Sequence, residues 1–297
     1  MLHVMAMVAQ GNKKLVPPCS YQGGKQRLAK KIVDIIFEQN EINEDTKFYD
    51  LCCGSGAITL ELVNRGIHPN NITMVDSGVY GAFWLEVAND EVEIELLKQM
   101  VDNIPSKKEC KAYLENMSKY IHENFTYQYL LLQSGSFGGK EISLQDGKWK
   151  HHGFRDYWLP TETSIRRSPC NPMQPNQHEL YDRVCNIVDT IGGSVRVLNC
   201  NVETFLLQEQ FIDNTIVYID PPYTGTTGYS NDLDIMSVVN SIPKNIPVYV
   251  SECNTLSDEI YFIAEGRSKG NITGNIKNKR KDDMLNVFNR LHREQDK

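Results

Sequence analysis

Apolar residues gather along this chain in two rhythms. Five short runs, "TKFYDLC", "NITMVD", "VRVLNCN", "TIVYID" and "IPVYVSE", are dense in β-branched and aromatic residues, the composition of buried strands. Elsewhere the spacing stretches to a helical period. From Lys25 to Phe37 apolar residues stand at 28, 29, 32, 33, 35 and 36, and Glu91 to Met100 and Lys111 to Leu132 keep the same period. Strands alternating with helices predict an open α/β sheet. The rhythm breaks from about 134 to 178, where Gly, Ser, Pro, Asn and His accumulate, and this stretch reads as an insertion or a small second domain. No internal repeat is visible.

With 297 residues, 40% of them hydrophobic, the chain has room for one large domain or two modest ones. No run of 18 apolar residues occurs, and the opening "MLHVMAMVAQGNKK" is too short and wrongly flanked for a secretory signal. A cytoplasmic protein with no membrane partner is expected. Of the eight cysteines, Cys52 and Cys53 are adjacent and the rest scattered, with no C-x-x-C pair and no zinc spacing. They read as reduced core cysteines, and no metal site is expected.

The formal net charge of -7 argues mildly against a nucleic-acid partner, but its distribution matters more. Acidic residues cluster at 86 to 95, "EVANDEVEIE", which looks like the solvated face of a helix. Residues 148 to 167 carry a local charge of +3, with His and aromatic residues interleaved, and residues 267 to 283 carry +4. Each basic stretch is either a solvated loop or a phosphate-facing surface.

The first chemical pattern is "FYDLCCGSGAITLEL", Phe48 to Leu62. A strand runs into Gly54 and Gly56 and a helix follows at once, so the backbone lies open to a ligand at the strand's carboxyl end. The same glycines would also serve a plain tight turn. Thr59 stands where a dinucleotide fingerprint has its third glycine, and Asp76 closes the next strand about twenty residues on, where a carboxylate can accept both hydroxyls of a ribose. Other catalytic patterns fail: "YQGGKQR" lacks the serine or threonine and the leading glycine of a phosphate loop, and "SGSFGG" lacks the leading glycine of a nucleophile elbow. His151 and His152 read as a solvated pair.

The strand "TIVYI" ends in Asp220-Pro221-Pro222-Tyr223, at the sheet edge where open α/β folds bind ligands. Two prolines stiffen the turn and remove two N–H donors, leaving acceptors to face an incoming amine. An amine conjugated to a heteroaromatic ring is a poor nucleophile. The Asp220 carboxylate and the Pro221 carbonyl can hold both its N–H bonds and favour a pyramidal nitrogen, while Tyr223 offers a stacking face worth ~1–3 kcal/mol for an unstacked base.

At this point the chain resembles the N6-adenine-specific DNA methyltransferases, the DNA adenine methylase type that marks short sites in bacterial and phage DNA. "PCSYQGGKQRLAKKI" resembles the family's opening motif, "DLCCGSGAI" its S-adenosylmethionine loop with Cys52 in place of the usual aromatic, "MVDS" its ribose-binding acid and "DPPY" its catalytic motif, in the family's order. "SGSFGGK" looks like its approach to the target-recognition insertion. The resemblance implies a Rossmann-like methyltransferase sheet, with a catalytic domain over 17–105 and 179–297 and a target-recognition insertion over 106–178. It implies S-adenosyl-L-methionine as cofactor, with Tyr21 packed against it and Lys25 meeting its carboxylate or the DNA. Asp50, Gly54 and Gly56 would shape the methionine pocket, Asp76 would hold the ribose, Asp220 would bind the target amine beside the cofactor, and Tyr223 would stack the base. Asn201 stands where the family commonly has an aspartate near the cofactor adenine; its amide oxygen can accept but carries no charge.

The implied activity is site-specific methyl transfer to adenine N6 in double-stranded DNA, by direct displacement on a base flipped out of the duplex. The 134–178 stretch and the basic 267–283 segment would grip phosphates and read base edges. A monomer is expected, acting in a bacterial or phage-infected host cell, with a cognate restriction endonuclease a candidate partner. The same chemistry on RNA adenine or cytosine N4 stays open, as does a cofactor- and DNA-binding protein without turnover.

Overall fold

The computed structural model describes residues 13–19, 23–165, 167–221, 233–265, 268–270, 276–279 and 282–288. In chain order the elements begin α1 (Ala29–Gln39), β1 (Lys47–Leu51), α2 (Ala57–Asn64), β2 (Ile72–Val75) and α3 (Val79–Ala88). Four more helices and a ribbon precede the next strand of the main sheet: α4 (Ile94–Asp102), α5 (Cys110–Met117), α6 (Phe125–Gly135), β3 (Ser143–Gln145), β4 (Lys148–Lys150) and α7 (Gln177–Ile191). Then come β5 (Arg196–Leu198), α8 (Val202–Leu206), β6 (Thr215–Ile219), α9 (Ile235–Ser241), β7 (Val248–Glu252), β8 (Glu259–Ala264), β9 (Ser268–Gly270), β10 (Ile276–Lys279) and β11 (Asp283–Phe288).

Seven strands form one sheet in the order β5-β2-β1-β6-β7-β11-β8. The first five run parallel, and β11 is antiparallel to both its neighbours. The expected Rossmann-like α/β sheet is present. All five strand-like runs of the sequence lie in it, while β8, β11 and the ribbons β3–β4 and β9–β10 were not among them. Strand residues alternate between two cores. Phe48, Ile216 and Tyr218 join α1, α2 and α3 on one face; Tyr49, Leu51, Val217 and Ile219 join α8 and α9 on the other. Covered on both faces, β6 and β7 are buried throughout, which is why "IVYI" and "VYV" read as apolar runs.

Connectivity places the site. From β1 the chain steps outward through β2 to β5, then crosses to β6 and β7 on the other side of β1. The crevice between the carboxyl ends of β1 and β6 is thus the topological switch point, where open α/β sheets bind ligands.

Two local readings of the sequence need correction. Lys111 to Leu132 is not one helix but two, α5 and α6, because the buried Gln128 terminates the first. Its side-chain amide donates to the carbonyls of Met117 (2.8 Å) and Tyr120 (2.9 Å) and accepts from the His122 N–H (2.9 Å) and the Trp149 indole (3.0 Å), so a side chain satisfies groups that a continuous helix would pair internally. The acidic run 86–95 is likewise no single helix face. It spans the end of α3, a turn and the start of α4, and Glu86 accepts a hydrogen bond from Thr126 (2.8 Å).

Residues 106–178 share the main core: Leu114, Leu130, Ile142, Trp149, Phe154 and Met173 belong to the cluster that holds α3 and α7. The eight cysteines form no disulfides; Cys19, Cys53 and Cys110 are buried and the others half-buried. Among the described residues no helix is long and apolar enough to cross a membrane.

Candidate active site

The loop after β1 is tied from three directions. The Cys53 N–H donates to the Val75 carbonyl (3.1 Å), the Gly54 N–H to Asp76 Oδ2 (2.9 Å), and the Trp84 indole N–H to the Gly54 carbonyl (2.8 Å). Gly56 adopts φ +71°, and a β-carbon there would lie 2.5 Å from the Trp84 ring, so both its backbone angle and its neighbour require glycine. Cys52 is also left-handed, at φ 59°, a conformation that costs a non-glycine residue energy.

Asp50 lies wholly buried in the middle of β1. Thr59 holds it, donating from its backbone N–H (3.1 Å) and its hydroxyl (2.8 Å) to Asp50 Oδ2. The missing third glycine is therefore a tether between strand and helix. Burial pushes the Asp50 carboxyl up to about 7 against the pull of those two bonds, and the charges of Asp220 and Asp76 add to the rise.

Asp76 forms the next wall. Its Oδ1 accepts from the Gly78 N–H (2.7 Å), while Asn199, just past β5, donates to the main-chain carbonyls of Asp76 (2.8 Å) and Gly78 (3.1 Å). Burial raises the Asp76 carboxyl, opposed by the amides of Gly54, Gly78 and Gly81. Trp84 and Asn199 are parts of the site that no sequence motif marks, and Thr59, noted only as a departure from a dinucleotide fingerprint, proves to hold Asp50.

A cleft of about 520 Å³ opens along these strand ends. Cys52, Gly54, Asp76, Asn201 and Asp220 border it, and Phe125, Tyr129, Ile142 and Leu144 line it from the α6 and β3 side. Asn201 immediately precedes α8, its side chain unused as a helix cap. Asp50 and Gly56 stand behind this lining.

Asp220 follows β6, its N–H donating to the Leu51 carbonyl (3.1 Å). Lys25, 4% exposed, donates from Nζ to Asp220 Oδ1 (2.5 Å) and to the Gly23 carbonyl (3.2 Å). The ammonium that the resemblance assigns to a cofactor carboxylate or to DNA meets the Asp220 carboxylate in this structure. Burial raises the Asp220 carboxyl, Lys25 pulls it down, and Asp283 and Glu252 push it up again. Pro221 is buried beside it. Tyr21, Pro222 and Tyr223 lie outside the described residues, as do Arg166, Arg267, Arg280 and Lys281 of the basic stretches.

Within 148–167, Lys148 and Lys150 are exposed on either side of a buried Trp149. Trp149 is thus a core residue rather than a base reader, and Trp158, 39% exposed, is the more accessible indole.

No known family's sequence model matches this chain, and no curated protein does. Among solved structures the chain is similar to the rRNA methyltransferase aviRa from Streptomyces viridochromogenes, at 13% identity over 97% of this chain and 90% of that one, with a TM-score of 0.36. So loose a likeness places no residues. The fold stands on the strand order itself.

Proposed function

We propose that this protein is a site-specific DNA methyltransferase that moves a methyl group from S-adenosyl-L-methionine to adenine N6. The observation that carries the reading is the position of Asp220: the first residue of DPPY stands at the switch point, on the same cleft as Gly54 and Asp76. The residues present suit the cofactor. Asp76 offers a carboxylate for ribose hydroxyls, Asn201 an amide for a base edge, and the Gly54 loop approachable backbone. When bound, S-adenosylmethionine supplies an electrophilic methyl on its sulfonium.

The chain's own residues do the rest. Asp220 and the Pro221 carbonyl accept the N–H bonds of the target amine, which directs the nitrogen lone pair outward. Catalysis is mainly alignment. Since a paired and stacked adenine cannot reach the cleft, the base must leave the duplex, and the exposed Lys148 and Lys150 are suited to backbone phosphates. The motif order of the sequence is what favours adenine in DNA.

The purified protein should be incubated with S-adenosylmethionine and, separately, double-stranded DNA and RNA, and the nucleosides then resolved by mass spectrometry. N6-methyladenine in DNA is expected. N4-methylcytosine, or product only in RNA, would redirect the substrate; no product from any nucleic acid would overturn the reading.

A further inference from the structure

Asp220 stands in crowded company. Asp50 and Cys52 of the β1 edge, Asp76 after β2, Glu203 of α8, Glu252 of β7 and Asp283 of β11 all bring ionisable acids to the same end of the sheet. Glu252 is itself buried. A carboxylate there is pressed toward its neutral, protonated form by burial and by like charge, and a protonated acid would offer a donor where the amine needs an acceptor. Against this stands Lys25, buried 195 positions earlier in the sequence, with its ammonium 2.5 Å from Asp220 Oδ1.

We infer that Lys25 is a positioning residue: it is the counter-ion that keeps Asp220 ionised and fixes the direction of its carboxylate at the mouth of the cleft. The "GGK" of the opening motif thereby acts on the target amine through the acid of DPPY. This rests on the proposed function for its purpose, but not for its geometry. An ammonium held in a buried ion pair also keeps Asp220 an acceptor rather than a base, since a carboxylate so paired takes up a proton less readily.

The test needs neither cofactor nor nucleic acid. Protein carrying aspartate labelled with carbon-13 at the carboxyl should be titrated by NMR, with the Asp220 signal identified by its loss in Asp220→Asn. In Lys25→Met the midpoint of that signal should rise by about 1–3 pH units, while Lys25→Arg should stay near wild type. Lys25→Gln is read the same way if the methionine variant does not fold. An unchanged midpoint in the neutral variant that folds would overturn the inference. In active protein the acidic limb of the kcat profile should move up with the midpoint. A moved midpoint in a protein that methylates nothing would uphold the counter-ion and sink the methyltransferase reading alone.

Discussion

At the scale of single residues the site divides into groups that meet ligand and groups that aim them. Under the proposed function Asp220 belongs to the first. On that reading its replacement by alanine removes an acceptor for the target amine as the nitrogen pyramidalises, so turnover should fall at least about a hundredfold, ~2.7 kcal/mol of barrier. Affinity for DNA should largely survive, since the proposed phosphate contacts, Lys148 and Lys150, lie in β4. Single-turnover methyl transfer beside fluorescence anisotropy separates the two, and near-normal transfer would remove Asp220 from the chemistry. Asn201 borders the same cleft. Asn201→Asp should be tolerated, whereas Asn201→Leu should weaken cofactor binding by about 1–3 kcal/mol, because a buried amine is left unpaired. Calorimetric titration with S-adenosylhomocysteine reads this directly, and unaltered binding would place the adenine elsewhere.

At the scale of elements, the glycine loop is rigid because α3 and β2 hold it. Trp84→Phe keeps most of the packing but loses the indole bond to the Gly54 carbonyl, a loss of about 1 kcal/mol. Gly56→Ala meets both a left-handed backbone and the Trp84 ring, so it should destabilise more. Urea denaturation should rank the two in that order, and cofactor affinity should fall with them; a Gly56→Ala protein as stable as wild type would mean the loop yields freely. This element also marks where the sequence was readable. Five strands and the placing of Gly54, Asp76 and Asp220 at strand ends follow from local composition, because each is written in a few adjacent residues, whereas the switch point needed the strand order. The Trp84 and Asn199 ties and the Lys25–Asp220 pair join residues far apart in the chain, and no local pattern encodes such pairings. β11, "DMLNVF", escaped for a related reason: Asp283 and Asn286 interrupt its apolar run, yet Asn286 is fully buried, holding the 254–256 turn through its amide.

For the whole molecule the buried acids set the response to pH. The carboxyl of Asp50 rises from 3.8 to about 7 on folding, and those of Asp76, Asp220 and Glu86 rise as well, each first of all through burial. Between its unfolded and folded values native Asp50 holds a proton that the unfolded chain has lost, so its contribution is full below about pH 4 and fades as pH rises through about 7, and the raised carboxyls of Asp76, Asp220 and Glu86 act in the same direction. The melting temperature should therefore fall from roughly pH 5 to pH 8, and Asp50→Asn should flatten that decline, since the amide oxygen can still accept from Thr59 without a charge to bury. Thermal unfolding across a buffer series checks it; parallel curves for the two proteins would mean Asp50 carries little of the effect.

The reversed strand has a consequence for how the molecule is made. During synthesis β7 and β8 leave the ribosome before β11, the strand that must slot between them. Until it arrives, β7 presents an open flank and β8 has no ladder to join, the kind of edge that invites pairing with another chain. A nascent chain stalled between Ala264 and Asp283 would thus carry a complete glycine loop and a complete DPPY motif on an unfinished sheet. Quality control would have an exposed β7 flank by which to recognise it.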